Sequence, residues 1–325
     1  MPLDAAAQYS AARESVAVYD LSDRTQLEMT GPDRHSFLHN FTTNNINALP
    51  SGCGCEAFLC NVKGRLLGHV FIFTDEESTW LDGVPGQNEF LTSHLEKYHL
   101  LEDFKLTDRT AERGELLVIG PETNSALTAV GVNVDGLSLM QCRHDSESSL
   151  DVRQIGLFGD LPYLVSGPGD VIEALRQRLI ESGVTPGERA VFETLRVESG
   201  FPAYGIDLSE ANLAQEASRT QEAISFEKGC YLGQEPIARI HAMGHVNRQL
   251  CRFAIDSEHL PAAGTALLNP ADESKEIGTV TSVAWSWKLE RPIGLGMVRT
   301  KWAKLNAEVM LATEPRAMAC VISGE

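Results

Sequence analysis

Gln26-Leu27-Glu28-Met29-Thr30-Gly31-Pro32-Asp33 carries an apolar, strand-like run into a glycine-proline turn, and the segment beyond it, Asp33 to Phe41, places Phe37, Leu38 and Phe41 on one helical face. The same order returns 89 residues later, where Glu115 to Ile119 leads into Gly120-Pro121-Glu122. In both copies a leucine stands seven residues past the glycine, Leu38 in the first and Leu127 in the second. Strand, tight turn and helix, met twice, predict two related α+β units. Strand-like stretches at Gly68 to Phe73, Phe104 to Thr107, Leu150 to Ile155 and Tyr163 to Val165, with helices near Asn88 to Leu100 and Asp170 to Ser182, fit two sheets covered by helices.

After about Val246 the texture changes to short β-rich runs: Gln249 to Ile255, Thr265 to Leu268, Ile277 to Trp285, Ile293 to Val298, Ala307 to Leu311 and Met318 to Ile322. They predict a small barrel or a sandwich. The domain boundaries expected are therefore 1–245, divided at roughly 1–112 and 113–245, followed by 246–325.

The chain has 325 residues, 43% of them hydrophobic, enough for a substantial core. Its formal net charge of -18 argues against an extended nucleic-acid surface, which needs clustered Lys and Arg; any such contact would be local. Seven cysteines without scaffold spacing read as reduced thiols. Met1 to Ser10 shows no signal or transit pattern, and no run of eighteen apolar residues occurs, so the expected protein is soluble, off the membrane and cytoplasmic.

Chemistry concentrates in Lys228-Gly229-Cys230-Tyr231-Leu232-Gly233-Gln234-Glu235. A functional cysteine needs exposure and nearby positive potential, because thiolate is the reactive form. Gly229 and Gly233 allow close backbone approach and Lys228 brings charge; a helix beginning near Gln234, with Glu235 and Arg239 four apart and Pro236 in its first turn, would add its dipole. The bland alternative is a buried cysteine in a tight turn.

Glu188 to Ser199 reads as a helix stopped by Gly200 and Pro202. Glu198 then lies in its last turn, where the dipole disfavours an anion, and Arg196, two residues away, does not face it. The carboxylate is either a solvated surface group or a ligand for paired N–H donors of a pterin-like edge. Phe192 either stacks on such a ring or packs in the core.

Cys53, Cys55 and Cys60 lack the spacing and the fourth ligand of a zinc or iron-sulfur site, and Cys53 and Cys55 read as one face of a strand. No residues are assigned to metal. His241 and His245 are four apart, but Gly244 between them points to a loop. Lys63-Gly64-Arg65 reads as a turn whose cations are solvated or meet an anionic tail.

On these residues the chain resembles the glycine-cleavage T-protein superfamily of folate-binding aminomethyltransferases. It looks most like the branch carrying K-G-C-Y-x-G-Q-E, the YgfZ-type folate-binding proteins linked to iron-sulfur cluster maintenance and tRNA modification. The resemblance extends to Gly31-Pro32-Asp33, Lys97-Tyr98, Leu195 to Gly205, Gly278 to Ser282 and Leu295 to Val298. It implies an α+β fold, a clover of subdomains around a central channel with a C-terminal β-barrel, and a tetrahydrofolate or derivative gripped by Glu198. The expected catalytic group is Cys230, Lys228 and Tyr231; Glu198, Phe192, Gln234 and Arg239 are expected at the cofactor.

Gly64-Arg65-Leu66-Leu67-Gly68-His69 departs from the family's Gly-Gly-Ile-Leu-Asp-Asp, and Asn44-Asn45 from its Asn-Asp, so the acid expected to handle the folate proton is missing. The leading expectation is a folate-dependent accessory protein for iron-sulfur client enzymes. A tetrahydrofolate-dependent aminomethyl or methyl transferase or demethylase, and a client-binding module without turnover, are the alternatives.

Overall fold

The computed structural model describes residues 4–158 and 162–322; the first three residues of the N-terminal stretch read above, and the last three of the expected barrel domain, lie outside them. Contacts group the chain into two compact units, each discontinuous in sequence. One takes the chain up to Cys60, Leu67–Val191 and Gln221–Leu232; the other takes Asn61–Leu66, Phe192–Thr220 and the chain from Gly233 onward.

The first unit holds two sheets. Five strands run in the order Cys53–Cys60, Leu66–Thr74, Ser78–Gly83, Thr25–Thr30, Lys105–Asp108. The Arg34–Phe41 and Asn88–Glu96 helices cover this sheet, burying Phe37, Leu38, Leu91 and Leu95 against Leu27, Met29, Ile72 and Leu81. Six strands run in the order Thr185–Gly187, Ala17–Asp20, Arg113–Ile119, Tyr163–Pro168, Leu150–Gln154, Cys142–Asp145, with Leu127 and the Ile172, Leu175 and Leu179 stripe of Gly169–Glu181 on the core.

The two glycine-proline turns have one geometry. Gly31 and Gly120 take φ of 106° and 128°, which side-chain-bearing residues rarely adopt. A Cβ on Gly31 would come within 2.6 Å of the Asp103 carbonyl, and one on Gly120 within 2.3 Å of the Ser15 carbonyl. Those carbonyls accept from the amides two residues past each glycine, Asp33 and Glu122, at 3.2 and 3.0 Å. Each carbonyl also lies two residues ahead of the strand that pairs antiparallel with the one entering the turn. Turn, helix start and strand pairing are thus fixed by one contact, made twice.

Charged residues meet where the two sheets face each other. Arg24 donates Nε to Asp82 at 2.7 Å and pairs with Glu115 at 3.1 Å, and Arg153 Nη1 lies 3.5 Å from Asp82 and 3.8 Å from Glu115. Arg113 pairs with Asp151 and lies 4.3 Å over the Trp80 ring. Asp82, Glu115 and Arg153 are essentially inaccessible, so a charge on any one of them depends on the others for compensation. Burial, followed by the Asp82 charge, drives the Glu115 carboxyl well above the usual range.

In the second unit the sandwich alternative falls away: the six strands close into a barrel in the order Arg248–Asp256, Arg291–Arg299, Asp272–Ser286, Ala266–Asn269, Glu308–Leu311, Ala317–Ile322. A register shift between Val280 and Ser282 marks a bulge. Both Thr281 and Ser282 donate to the same oxygen of Asp207, at 2.5 and 2.6 Å.

Several sequence expectations change. His241 is helical, because Gly244, at φ 75°, ends the Gln234–Met243 helix as its C-cap and does not interrupt it. The helix expected to reach Leu100 ends at Glu96. Ser78–Gly83 went unread as a strand because all six residues are buried, Asp82 among them, which erases the alternation by which strands are recognised. Among the described residues no helix is long and apolar enough to cross a membrane.

Gly120→Ala is expected to destabilise the protein by about 2 kcal/mol or more, since it forces a side chain into left-handed backbone and against the Ser15 carbonyl. Denaturant titration against the wild type measures it; a change within error would mean that the turn relaxes freely.

Candidate functional site

The segment from Glu222 to Leu232 is stitched to the end of the Arg34–Phe41 helix and to the residues that follow it. Thr43 Oγ1 donates to the Ala223 carbonyl at 2.6 Å, and Asn44 Nδ2 to that of Glu222 at 3.0 Å. In the other direction the Ser225 amide donates to the Thr43 carbonyl at 3.0 Å and the Leu232 amide to that of Asn40 at 2.8 Å. Lys228 completes the seam. Its buried Nζ donates to the carbonyls of His39, Thr42 and Asn44, the last two at 2.7 and 2.8 Å, and lies 4.7 Å from the centre of the Tyr231 ring.

This arrangement revises the role expected for Lys228. Its three ammonium hydrogens match three backbone acceptors, so its charge is engaged in holding the loop. Burial pushes its pKa down to about 7; the Cys55 thiol opposes that, as do the three carbonyls, which only the ammonium form satisfies together. Tyr231 is also buried, which raises its phenol and keeps it neutral.

Cys230 is the exposed thiol of the seven; Cys60 and Cys251 are buried, and Cys53, Cys55, Cys142 and Cys320 are intermediate. Burial pushes Cys55, Cys60, Cys142 and Cys251 up to about 12. The two glycines of the motif differ. Gly233, at φ 83°, caps the following helix and needs its freedom, whereas a Cβ on Gly229 would find only ordinary contact with His39 at 3.7 Å.

On the strand where the family's acid is expected, His69 Nε2 meets Glu56 Oε1 at 2.7 Å, and both are buried. The Phe58 ring packs at 4.8 Å from His69. Gly68 faces Leu59 and Leu91, and a Cβ there would already be 3.0 Å from Leu91. Sequence reading noted His69 as a departure but missed its pairing with Glu56, thirteen residues earlier on the adjacent strand.

In the second unit Glu198 lies in the last turn of Arg189–Ser199, with Gly200 behind it at φ 75°. It is buried, not solvated, and its Oε1 accepts from Ser286 Oγ at 2.5 Å, a partner 88 residues away. Arg196 is committed elsewhere, to Asp207 at 2.6 Å, Glu193 at 2.7 Å and Ser282 at 2.8 Å. That clamp, anchored on the barrel bulge, sets the position of the helix end. Glu198 and Ser286 line a cavity of about 280 Å³ whose other walls include Arg252, Lys288 and Arg291.

Phe192 is buried, which favours packing over the stacking expected of it. Gln234 opens the Gln234–Met243 helix half-buried, and Arg239 is exposed on it. Arg65 is not a free cation: its Nη1 donates to the Ala211 carbonyl at 2.6 Å. Gly64 has φ 66°, and a Cβ there would meet Pro236 at 2.9 Å, so this turn is shaped by packing.

Two measurements follow from the loop. Iodoacetamide labelling of the native protein at neutral pH should modify Cys230 first, with Cys55, Cys60, Cys142 and Cys251 protected until unfolding; early labelling of any of those four would contradict the loop described. Lys228→Met should cost about 2 kcal/mol, because it strands three carbonyls. Since the folded pKa lies below the ordinary 10.5, the unfolded chain binds the extra proton between about 7 and 10.5. The wild type's margin over Lys228→Met should therefore widen as pH rises through that window, as parallel denaturant titrations would report.

Comparison with known proteins places this geometry. Residues 3–228 match the model of the GCVT N-terminal domain, and residues 248–324 that of the glycine cleavage T-protein C-terminal barrel domain. A chloroplastic protein of Arabidopsis thaliana named as a transferase is 26% identical over 92% of this chain and 69% of its own. The aminomethyltransferase of Desulforamulus reducens is 23% identical over 95% of this chain and 86% of its own. The crystal structure of glycine cleavage system aminomethyltransferase T from Bartonella henselae superposes with a TM-score of 0.91 at 21% identity, over 99% of this chain and 89% of that one, which shows a common fold. Aminomethyltransferases of the family use tetrahydrofolate. With both family models matched in order along one chain, and the second falling on the closed six-stranded barrel, this protein belongs to the glycine cleavage T-protein family.

Proposed function

We propose that this protein is a YgfZ-type member of its family, a tetrahydrofolate-binding accessory protein for iron-sulfur cluster assembly or repair and for tRNA modification, in which Cys230 is the working residue. The observation that carries the reading is the loop itself: Lys228 and Tyr231 are buried to hold it, while Cys230 between them is exposed. A cysteine present only for packing needs no such support.

The residues around Glu198 fit a folate. Its buried carboxylate offers acceptors to the paired N–H donors of a pterin edge, and Arg252, Lys288 and Arg291 bring positive charge to the same cavity in a chain of net charge -18, which suits a ligand with an anionic tail. When bound, reduced folate supplies one-carbon chemistry. Within the protein, Ser286 orients the carboxylate and the Arg196–Asp207 clamp fixes its helix. Gln234 and Arg239 remain candidates for cofactor contact.

A second reading, a tetrahydrofolate-dependent one-carbon transferase, draws on the aminomethyltransferases among the relatives and on the Glu56–His69 pair, a buried proton-holding group on the strand that lacks the family's acid. Formation of methylenetetrahydrofolate from an aminomethyl-lipoyl carrier decides for it. We expect none, because an imidazole tied to Glu56 in an apolar wall differs from a free carboxylate in charge and reach.

Calorimetry with tetrahydrofolate should show binding that Glu198→Gln weakens by about 1.5–3 kcal/mol, since one acceptor becomes a donor. Unchanged affinity would remove Glu198 from the site. Cys230→Ser should leave the thermal melt nearly unchanged, yet fail to restore iron-sulfur-dependent tRNA thiolation in cells lacking the native protein. Full restoration would return Cys230 to a passive surface position.

A further inference from the structure

Apart from the loop and the folate cavity, the first unit holds a cavity of about 130 Å³ between its two sheets, walled by Phe73 and Trp80 of one sheet and by Cys142, His144, Asp151 and Arg153 of the other. It shares Trp80, His144 and Asp151 with a wider cleft of about 650 Å³, through which a ligand would reach it.

The hydrogen-bonding capacity of this cavity is lopsided. Asp75 accepts from the Ser78 amide and hydroxyl at 2.7 and 2.8 Å, and Asp151 is paired with Arg113 and with His144 Nδ1 at 2.9 Å. The Cys142 thiol faces the Thr74 carbonyl at 3.6 Å. Arg143 is engaged by the carbonyls of Asn133 and Asp135 at 3.1 and 2.8 Å. Arg153 differs. Its side chain is 1% exposed, its guanidinium is held over the Phe73 and Trp80 rings at 5.5 and 5.7 Å, and its Nη2 has no hydrogen-bond partner among the described residues. An Asp151 carboxylate oxygen is 4.0 Å away, beyond hydrogen-bond reach. A buried guanidinium N–H without an acceptor is costly, and the Asp75 and Asp151 carboxylates of the cavity wall already serve other donors.

We propose that this cavity binds a small oxyanion, a carboxylate or a phosphate group, through Arg153 Nη2 with His144 beside it. Local charge is compatible with an anion. Arg24, Arg113 and Arg153 face Asp82, Glu115 and Asp151, burial favours the protonated form of Glu115, and Arg143 and Asp75 offset one another on the cavity wall, whereas Glu28, Glu76, Glu77 and Glu112 make the outer cleft acidic, so an anion is held at Arg153 and not in the cleft. The site is independent of the folate reading, because none of its residues belongs to the Glu198 cavity or to the Lys228–Leu232 loop.

The test is an NMR titration of protein labelled with 15N-arginine, using sodium phosphate and sodium acetate, each against sodium chloride at matched ionic strength. One buried-arginine Nε–H resonance, assigned by its disappearance in Arg153→Lys, should shift and saturate with at least one of the two anions. Saturation by phosphate alone identifies a phosphate site, and saturation by acetate alone a carboxylate site. His144→Ala, at a half-exposed position, should weaken binding about tenfold, the loss of one charge-assisted hydrogen bond. A resonance that follows ionic strength alone, or saturable binding undiminished in His144→Ala, overturns the proposal, and this holds even if Arg153→Lys fails to fold.

Discussion

The first unit depends on a set of ionisable groups buried between its two sheets. Asp82 and Glu115 come from different sheets, and Arg24 and Arg153 bind both of them. An isolated buried carboxylate or guanidinium is expensive, so the two sheets are stable together only in the arrangement that pairs these groups. Such a seam adds less to stability than apolar packing of equal volume would, but it admits few alternative registers. Removing one member leaves the others stranded, which couples both sheets to every residue of the seam.

The second unit repeats the strategy on a smaller scale. Asp207 receives Arg196, Thr281 and Ser282, and the barrel bulge turns two consecutive hydroxyls toward the same carboxylate. Glu198 inherits its place from this clamp: its helix ends where Arg196 fixes it, and Ser286, further along the same barrel strand, meets the carboxylate. A carboxylate at a helix C-terminus, disfavoured by the dipole, is held buried by neighbours whose positions serve the fold. Stability and the position of that carboxylate rest on the same residues.

The motif around Cys230 divides its labour in the same way. Lys228 and Tyr231 are spent on structure, and Gly233 on the cap of the following helix. Cys230 is left exposed. Its neighbours in sequence therefore act on it by fixing the backbone that presents it, and a lysine that sequence alone casts as an activating charge becomes a tether.

Much of the architecture was legible in the chain itself. The paired glycine-proline turns, the six barrel strands, the helix ending at Ser199 and the helix after Gly233 are written in local patterns, because each rests on side-chain period, backbone freedom or capping within a few residues. Family membership was legible for the same reason. Only tertiary structure decided whether those strands made a barrel or a sandwich, that Lys228 would meet carbonyls 184 to 189 residues away, that Glu198 would find Ser286, and that Asp82 would lie in a fully buried strand. Local sequence records what a residue can do with its neighbours. A buried charge or an unpaired carbonyl has to be satisfied by whatever the fold brings near, and that partner carries no mark in the sequence around it.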